Sequence, residues 1–257
     1  MNPVVKRTVT ALSVAAGVVC ALLYLPLQAV LPAMLLLVLL VQLEFIQLMA
    51  KKYETMPVVG LLAALAFLVG AVYFDGSMDR FVVPIVFAMA LFALFGKSAN
   101  PIQKFATTLL GFVYIPVMLL HFIQIPQIHG MQMLLYVIAI IKVSDMGGFA
   151  FGKAFGRHRM CPSISPNKSW EGFAGSVFAS CLISCAFIPM TGFEWCKALA
   201  FGVAAATVGT LGDLVESRFK REVDVKDSAT FMPAGMGGFL DMFDSLVFAP
   251  AVLFYFI

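Results

Sequence analysis

The chain has 257 residues, of which 61% are hydrophobic and only 12% charged, and its formal net charge is +3. A soluble domain of this composition would have too little polar surface to cover itself, so the bilayer is the expected solvent. No nucleic-acid partner is expected from so sparse a charge.

A helix that crosses roughly 30 Å of hydrocarbon needs about 20 mostly apolar residues. In chain order, helices are predicted over residues 8–25, 29–49, 57–74, 81–96, 105–123, 131–144, 171–189, 195–214 and 238–257. The expected fold class is all-α: a polytopic helical integral membrane protein with about nine transmembrane helices. The first run follows Lys6 and Arg7 as a signal peptide would, but no small-residue cleavage site comes after Leu25, so it is read as a retained helix.

A cytosolic N-terminus puts every one of the 17 Lys and Arg except Arg80 and Lys197 on the cytosolic side, as the bias toward basic cytoplasmic loops requires. The expected location is the inner (cytoplasmic) membrane, with the active site facing the cytosol. Trp170 and Trp195 read as interfacial anchors on opposite sides, His121 and His129 as outer interfacial residues, and His158 as part of a basic lipid-facing patch. Glu44 lies about 10 Å inside the second helix from Lys51, where it can pair with a neighbouring helix. The five cysteines lie mostly in apolar helices and imply neither disulfides nor a zinc site.

Two cytosolic segments, roughly 142–170 and 213–238, are longer than the turns elsewhere, and long loops between packed helices tend to be functional. In the second, Asp213, Glu216, Ser217 and Lys220 fall at i, i+3, i+4 and i+7, so one helix face carries two carboxylates, a hydroxyl and an ammonium. Asp241, Asp244 and Ser245 share a face at the start of the last helix. Asp213 ends an inward helix and Asp241 begins an outward one, so the two acids should meet at the same depth. Mg²⁺ takes one or two protein carboxylates and fills its other positions with water and phosphate oxygens, and Asp213, Asp241 and Asp244 suit such a site. The bland alternative is an ion-pair network with Lys220, Arg221 or Lys226.

The first segment runs Ser144-Asp145-Met146-Gly147-Gly148, then Gly152-Lys153 and Phe155-Gly156-Arg157, and on to Ser165-Pro166-Asn167-Lys168-Ser169-Trp170-Glu171-Gly172. Ser165-Pro166-Asn167 reads as a turn leading to a helix near Trp170. The glycines admit two readings, backbone amides approaching an anion or close helix packing. The spacing is not that of a Walker loop.

Taken together, these motifs and Gly212-Asp213-Leu214, Ser217-Arg218-Phe219-Lys220-Arg221, Lys226-Asp227, Pro233, Gly237-Gly238, Asp241 and Asp244 resemble the phosphatidate cytidylyltransferase (CDP-diacylglycerol synthase) family over roughly residues 142–245. The resemblance implies that CTP and phosphatidic acid react to give CDP-diacylglycerol and pyrophosphate with Mg²⁺, a second, monovalent cation and a homodimer being left open. It implies Asp213, Asp241, Lys168 and Lys220 as catalytic groups. Substrate binding falls to Asp145, Lys153, Ser165, Asn167, Ser217, Arg221, Lys226, Asp227, Gly237 and Gly238. Two departures stand out: Met236 replaces the His of the family's Pro-x-His-Gly-Gly signature, which is one residue longer here, and Met242 replaces the Arg after the first acid. On this reading residues 1–130 embed the protein in lipid, with room for oligomer contacts, and residues 131–257 form the catalytic domain. The alternatives are a CTP-dependent transferase acting on another lipid phosphate, or a transporter or catalytically silent scaffold.

Overall fold

A computed structural model describes residues 17, 19–74, 79–225 and 238–257. The protein is a polytopic helical membrane protein whose helices are α1 (Leu27–Met49), α2 (Pro57–Tyr73), α3 (Asp79–Phe95), α4 (Pro101–Phe112), α5 (Met118–His129), α6 (Met131–Phe155), α7 (Trp170–Ala186), the single turn α8 (Ile188–Thr191), α9 (Trp195–Glu222) and α10 (Phe239–Leu253). Among the described residues, five stretches are long and apolar enough to span a bilayer, Leu27–Met49, Pro101–His129, Met131–Phe155, Trp195–Glu222 and Phe239–Phe256, and α2, α3 and α7 are shorter apolar helices. Of the predicted helix at 8–25, residues 17 and 19–24 are helical, and residues 8–16 and 18 lie outside the described residues.

The middle helices are longer than their hydropathy suggests. Helices α4 and α5 form one rod through a π-helical turn, Val113–Val117, that contains Pro116. Proline lacks an amide hydrogen and its ring crowds the carbonyl four residues back, so the wider turn lets the rod continue. Helix α6 runs to Phe155, well past the predicted end at 144. Its glycines are therefore helical rather than part of a loop, and they serve close packing. A Cβ on Gly147 would stand 2.5 Å from the Ala179 Cβ and 2.7 Å from the Gly175 carbonyl of α7, and one on Gly148 would collide with Ser176 Oγ. Helices α6 and α7 thus approach backbone to backbone, as small residues allow inside membranes.

Beyond α6 the all-helical expectation needs one addition. Residues Arg159–Cys161 (β1) and Ser165–Ser169 (β2) pair antiparallel, with Arg159 opposite Ser169, so the predicted turn at Ser165 is a strand. Ser169 ends it and caps α7, its Oγ accepting from Gly172 N at 3.1 Å, which satisfies one of the orphan amides of the helix start. His158, exposed between Arg157 and Arg159, pairs with Glu171, Nδ1 to Oε1 at 2.6 Å.

One continuous core runs from Leu22 through Phe45, Phe112 and Tyr136 to Leu253. Within it Tyr136 OH meets Ser184 Oγ at 2.6 Å, and Ser184 Oγ donates to Ala198 O at 2.7 Å. His121, expected at the interface, is instead 6% exposed and packs edge-on against Phe254, because the neighbouring aromatic rings close over it. All five cysteines are free. At one end of the bundle the C-terminal ends of α1 and α9 come together, where Lys52 Nζ reaches Glu222 Oε1 at 2.8 Å.

Candidate active site

The geometry begins at Gly212. A Cβ there would lie 2.6 Å from the Asp244 carbonyl oxygen, so only glycine lets α9 and α10 come this close. That approach sets Asp213 beside Asp244, while the helical period brings Glu216 to the same face. Ligand oxygens of Asp213, Glu216 and Asp244 lie within 4.8 Å of one another.

Cations from three elements border this cluster. Lys168, on β2, places Nζ 2.7 Å from Asp213 Oδ2 and donates to the Thr210 carbonyl at 3.1 Å. Lys220, on α9, sits 2.6 Å from Glu216 Oε2 and 2.8 Å from Asp241 Oδ1. Lys142, on α6, lies 3.7 Å from Asp145 Oδ2 and donates to the Met242 carbonyl at 3.2 Å. Asp145 in turn accepts from Ser245 Oγ at 2.9 Å, and Asp241 Oδ2 accepts from Gly238 N at 2.7 Å, which caps α10.

These groups surround a cavity of about 450 Å³ whose wall includes Lys142, Asp145, Lys168, Asp213, Asp241 and Asp244. Ser165 and Asn167 reach it from β2. Ser217 lies just behind, Oγ donating to Asp213 Oδ1 at 3.4 Å. Arg221 ties the end of α9 to the hairpin through the Ile164 carbonyl at 3.4 Å. Lys153 faces the Phe149 ring at 5.8 Å and is not among the cavity-lining residues. Lys226, Asp227, Met236 and Gly237 lie outside the described residues.

The carboxylates Asp145, Asp213, Glu216, Asp241 and Asp244 face the ammonium groups of Lys142, Lys168 and Lys220, a formal excess of two negative charges among the described residues, and clustered like charges favour a cation between them. The donor set therefore fits a divalent cation, and hard carboxylate oxygens suit such an ion. Sequence reasoning put Glu216 on the right face but did not count it among the ligating acids. It also missed Lys142 as a cavity group, although its i, i+3 spacing to Asp145 was there to read.

Comparison with known proteins gives the chain its family. Residues 5–257 match the cytidylyltransferase family. Among curated relatives, a phosphatidate cytidylyltransferase of Staphylococcus aureus is 34% identical over 173 residues, 66% of this chain and 66% of that protein. One of Haemophilus influenzae is 38% identical over 175 residues, 62% of this chain and 58% of that protein, and one of Staphylococcus epidermidis is 32% identical over 174 residues, 66% of each. The matched stretch thus spans 58–66% of these relatives' own length, less than two thirds. With the match running through both the acid-bearing helices and the spans before them, the chain belongs to the cytidylyltransferase family.

Proposed function

We propose that the protein transfers a cytidylyl group from CTP to phosphatidic acid, producing CDP-diacylglycerol and pyrophosphate. The observation that carries this reading is the cavity in which Asp213, Asp241 and Asp244 meet Lys168, among the helices of a membrane protein. One substrate dissolves in the leaflet and the other in water, so the reaction needs a polar cavity where the two phases meet. The placement of most Lys and Arg supports an inner membrane with that cavity open to the cytosol.

In this reaction a phosphate oxygen of phosphatidic acid bonds to the α-phosphorus of CTP, and the bond from that phosphorus to the β-phosphate bridge breaks, releasing pyrophosphate. No general base is needed, because a phosphate monoester is already anionic near neutral pH. Asp213 and Asp244, with Glu216 beside them, would hold Mg²⁺. Asp241 is the further candidate ligand at the cavity wall. The ion, when bound, supplies positive charge to the triphosphate. Lys168 and Lys220 place fixed positive charge beside the phosphates, which phosphoryl chemistry rewards. Asp145, Ser165 and Asn167 form part of the substrate wall, with Lys153, Ser217, Arg221, Lys226, Asp227, Gly237 and Gly238 as further candidate contacts. Residues 131–257 are the catalytic part, and residues 1–130 embed it and leave room for a homodimer.

The test is pyrophosphate release and CDP-diacylglycerol formation by purified protein given CTP, Mg²⁺ and phosphatidic acid. Asp213→Asn and Asp241→Asn should each lower the rate at least ~10²-fold. A different nucleotide or lipid phosphate serving far better would overturn the substrate assignment. Wild-type rates in both variants would overturn the site.

A further inference from the structure

Glu44 is fully buried in α1, far along the chain from every acid of the cavity. Its Oε2 accepts the backbone amide of Leu240 at 2.7 Å. Leu240 sits in the first turn of α10, immediately before Asp241, where helix amides lack intrahelical acceptors and carry the positive end of the helix dipole. A buried carboxylate on such an amide makes a charge-assisted bond, the stronger class of hydrogen bond.

The same helix also reaches α9. Just past its end, Lys52 Nζ donates to the Glu222 carbonyl and to Glu222 Oε1, both at 2.8 Å, and Tyr53 OH donates to Glu222 Oε1 at 2.6 Å. Helix α1 therefore grips the last residue of one acid-bearing helix and the first turn of the other. Residues 223–238 join those two helices in sequence.

We propose that Glu44 is a positioning residue: from α1 it fixes the depth and rotation of α10, and so the separation of Asp244 from Asp213 on which divalent-cation binding depends. The proposal deepens the functional reading above and rests on it for the identity of the site. Partners that orient metal ligands from outside typically change metal affinity or activity by about 10–100-fold when lost.

The experiment measures Mn²⁺ binding to the purified full-length protein in detergent, from the electron paramagnetic resonance signal of free Mn²⁺, alongside pyrophosphate release as Mg²⁺ is varied. Glu44→Leu should weaken Mn²⁺ binding about 10-fold and raise the half-saturating Mg²⁺ by a similar factor. Glu44→Gln, whose amide oxygen can still accept from Leu240, should recover most of both. Phe67→Ala removes a fully buried ring of α2 and serves as the control, lowering thermal stability without moving either midpoint. If Glu44→Leu does not fold, the pair Lys52→Met with Tyr53→Phe, exposed and half-buried respectively, takes its place and should weaken Mn²⁺ binding about 3-fold. Wild-type Mn²⁺ affinity in the folded Glu44→Leu protein, or in the Lys52–Tyr53 double variant if that is the one tested, overturns the proposal. So does a Glu44→Gln protein as impaired as Glu44→Leu. Mn²⁺ binding that depends on Glu44 in a protein making no CDP-diacylglycerol would instead keep the positioning role and sink the substrate assignment.

Discussion

Replacing Gly212 by alanine adds one methyl group at the closest approach of α9 to α10. The new Cβ would stand 2.6 Å from the Asp244 carbonyl oxygen, with the Asp244 carbonyl carbon and Ser245 Cα at 3.5 Å. The obstacle is backbone, which cannot swing aside as a side chain can, so the helices must separate by about 0.8 Å to reach ordinary contact near 3.4 Å. Overpacking of this kind destabilises by about 1–3 kcal/mol. The larger effect falls on chemistry, because Asp213 and Asp244 move apart together with their helices, and a misplacement near 1 Å can slow a reaction about 10²-fold. Gly209 lies one turn earlier on the same helix, and its added Cβ would meet Ile141 Cγ2 and Ser245 Cβ at 3.9 Å, an ordinary contact. Gly209→Ala should therefore keep its activity and gain up to about 1 kcal/mol from reduced backbone freedom. Both variants are assayed for pyrophosphate release at saturating CTP and for thermal unfolding in detergent. Equal turnover in the two alanine variants would refute the claim that the acids depend on this close approach.

Lys168→Met removes the cation 2.7 Å from Asp213, with opposite effects on two measurements: Mn²⁺ should bind more tightly to the less neutralised acids, while turnover falls at least ~10²-fold. Weaker Mn²⁺ binding in that variant would show that Lys168 orders the acids rather than competing with the ion. Ser184→Ala leaves the buried Tyr136 hydroxyl without its partner at 2.6 Å and should lower stability by about 1 kcal/mol, read from thermal melts, with turnover unchanged.

Periodicity exposed what a single helix can hold. Asp213, Glu216, Ser217 and Lys220 share a face because 3.6 residues make a turn, whatever surrounds them. The hydropathy runs located the spans for the same reason. Their ends were less legible where composition and conformation part company. Gly147, Gly148 and Gly152 look like loop residues, but each sits on the face of α6 that meets α7, and only the presence of that neighbour makes glycine favourable inside a helix. The hairpin at Arg159–Ser169 joins a three-residue strand to one reading Ser-Pro-Asn-Lys-Ser, too short and polar to announce itself as β structure. Glu44 was recognisable as costly in lipid and therefore in need of a partner. Its amide partner lies 196 residues away, and no local pattern encodes a contact across that distance.

That separation gives the bond between Glu44 and Leu240 a history as well as a geometry. Ribosomes add about 5–20 residues per second, so α1 enters the bilayer some 10–40 s before the amide it will hold has been made. Through that interval Glu44 needs shelter provided by water, the translocon or earlier helices, since an acid in hydrocarbon costs up to about 2.5–3.5 kcal/mol at the bilayer centre. The cavity is thus a late product of biogenesis, closed only when a carboxylate waiting in an early span captures a helix synthesised long afterwards.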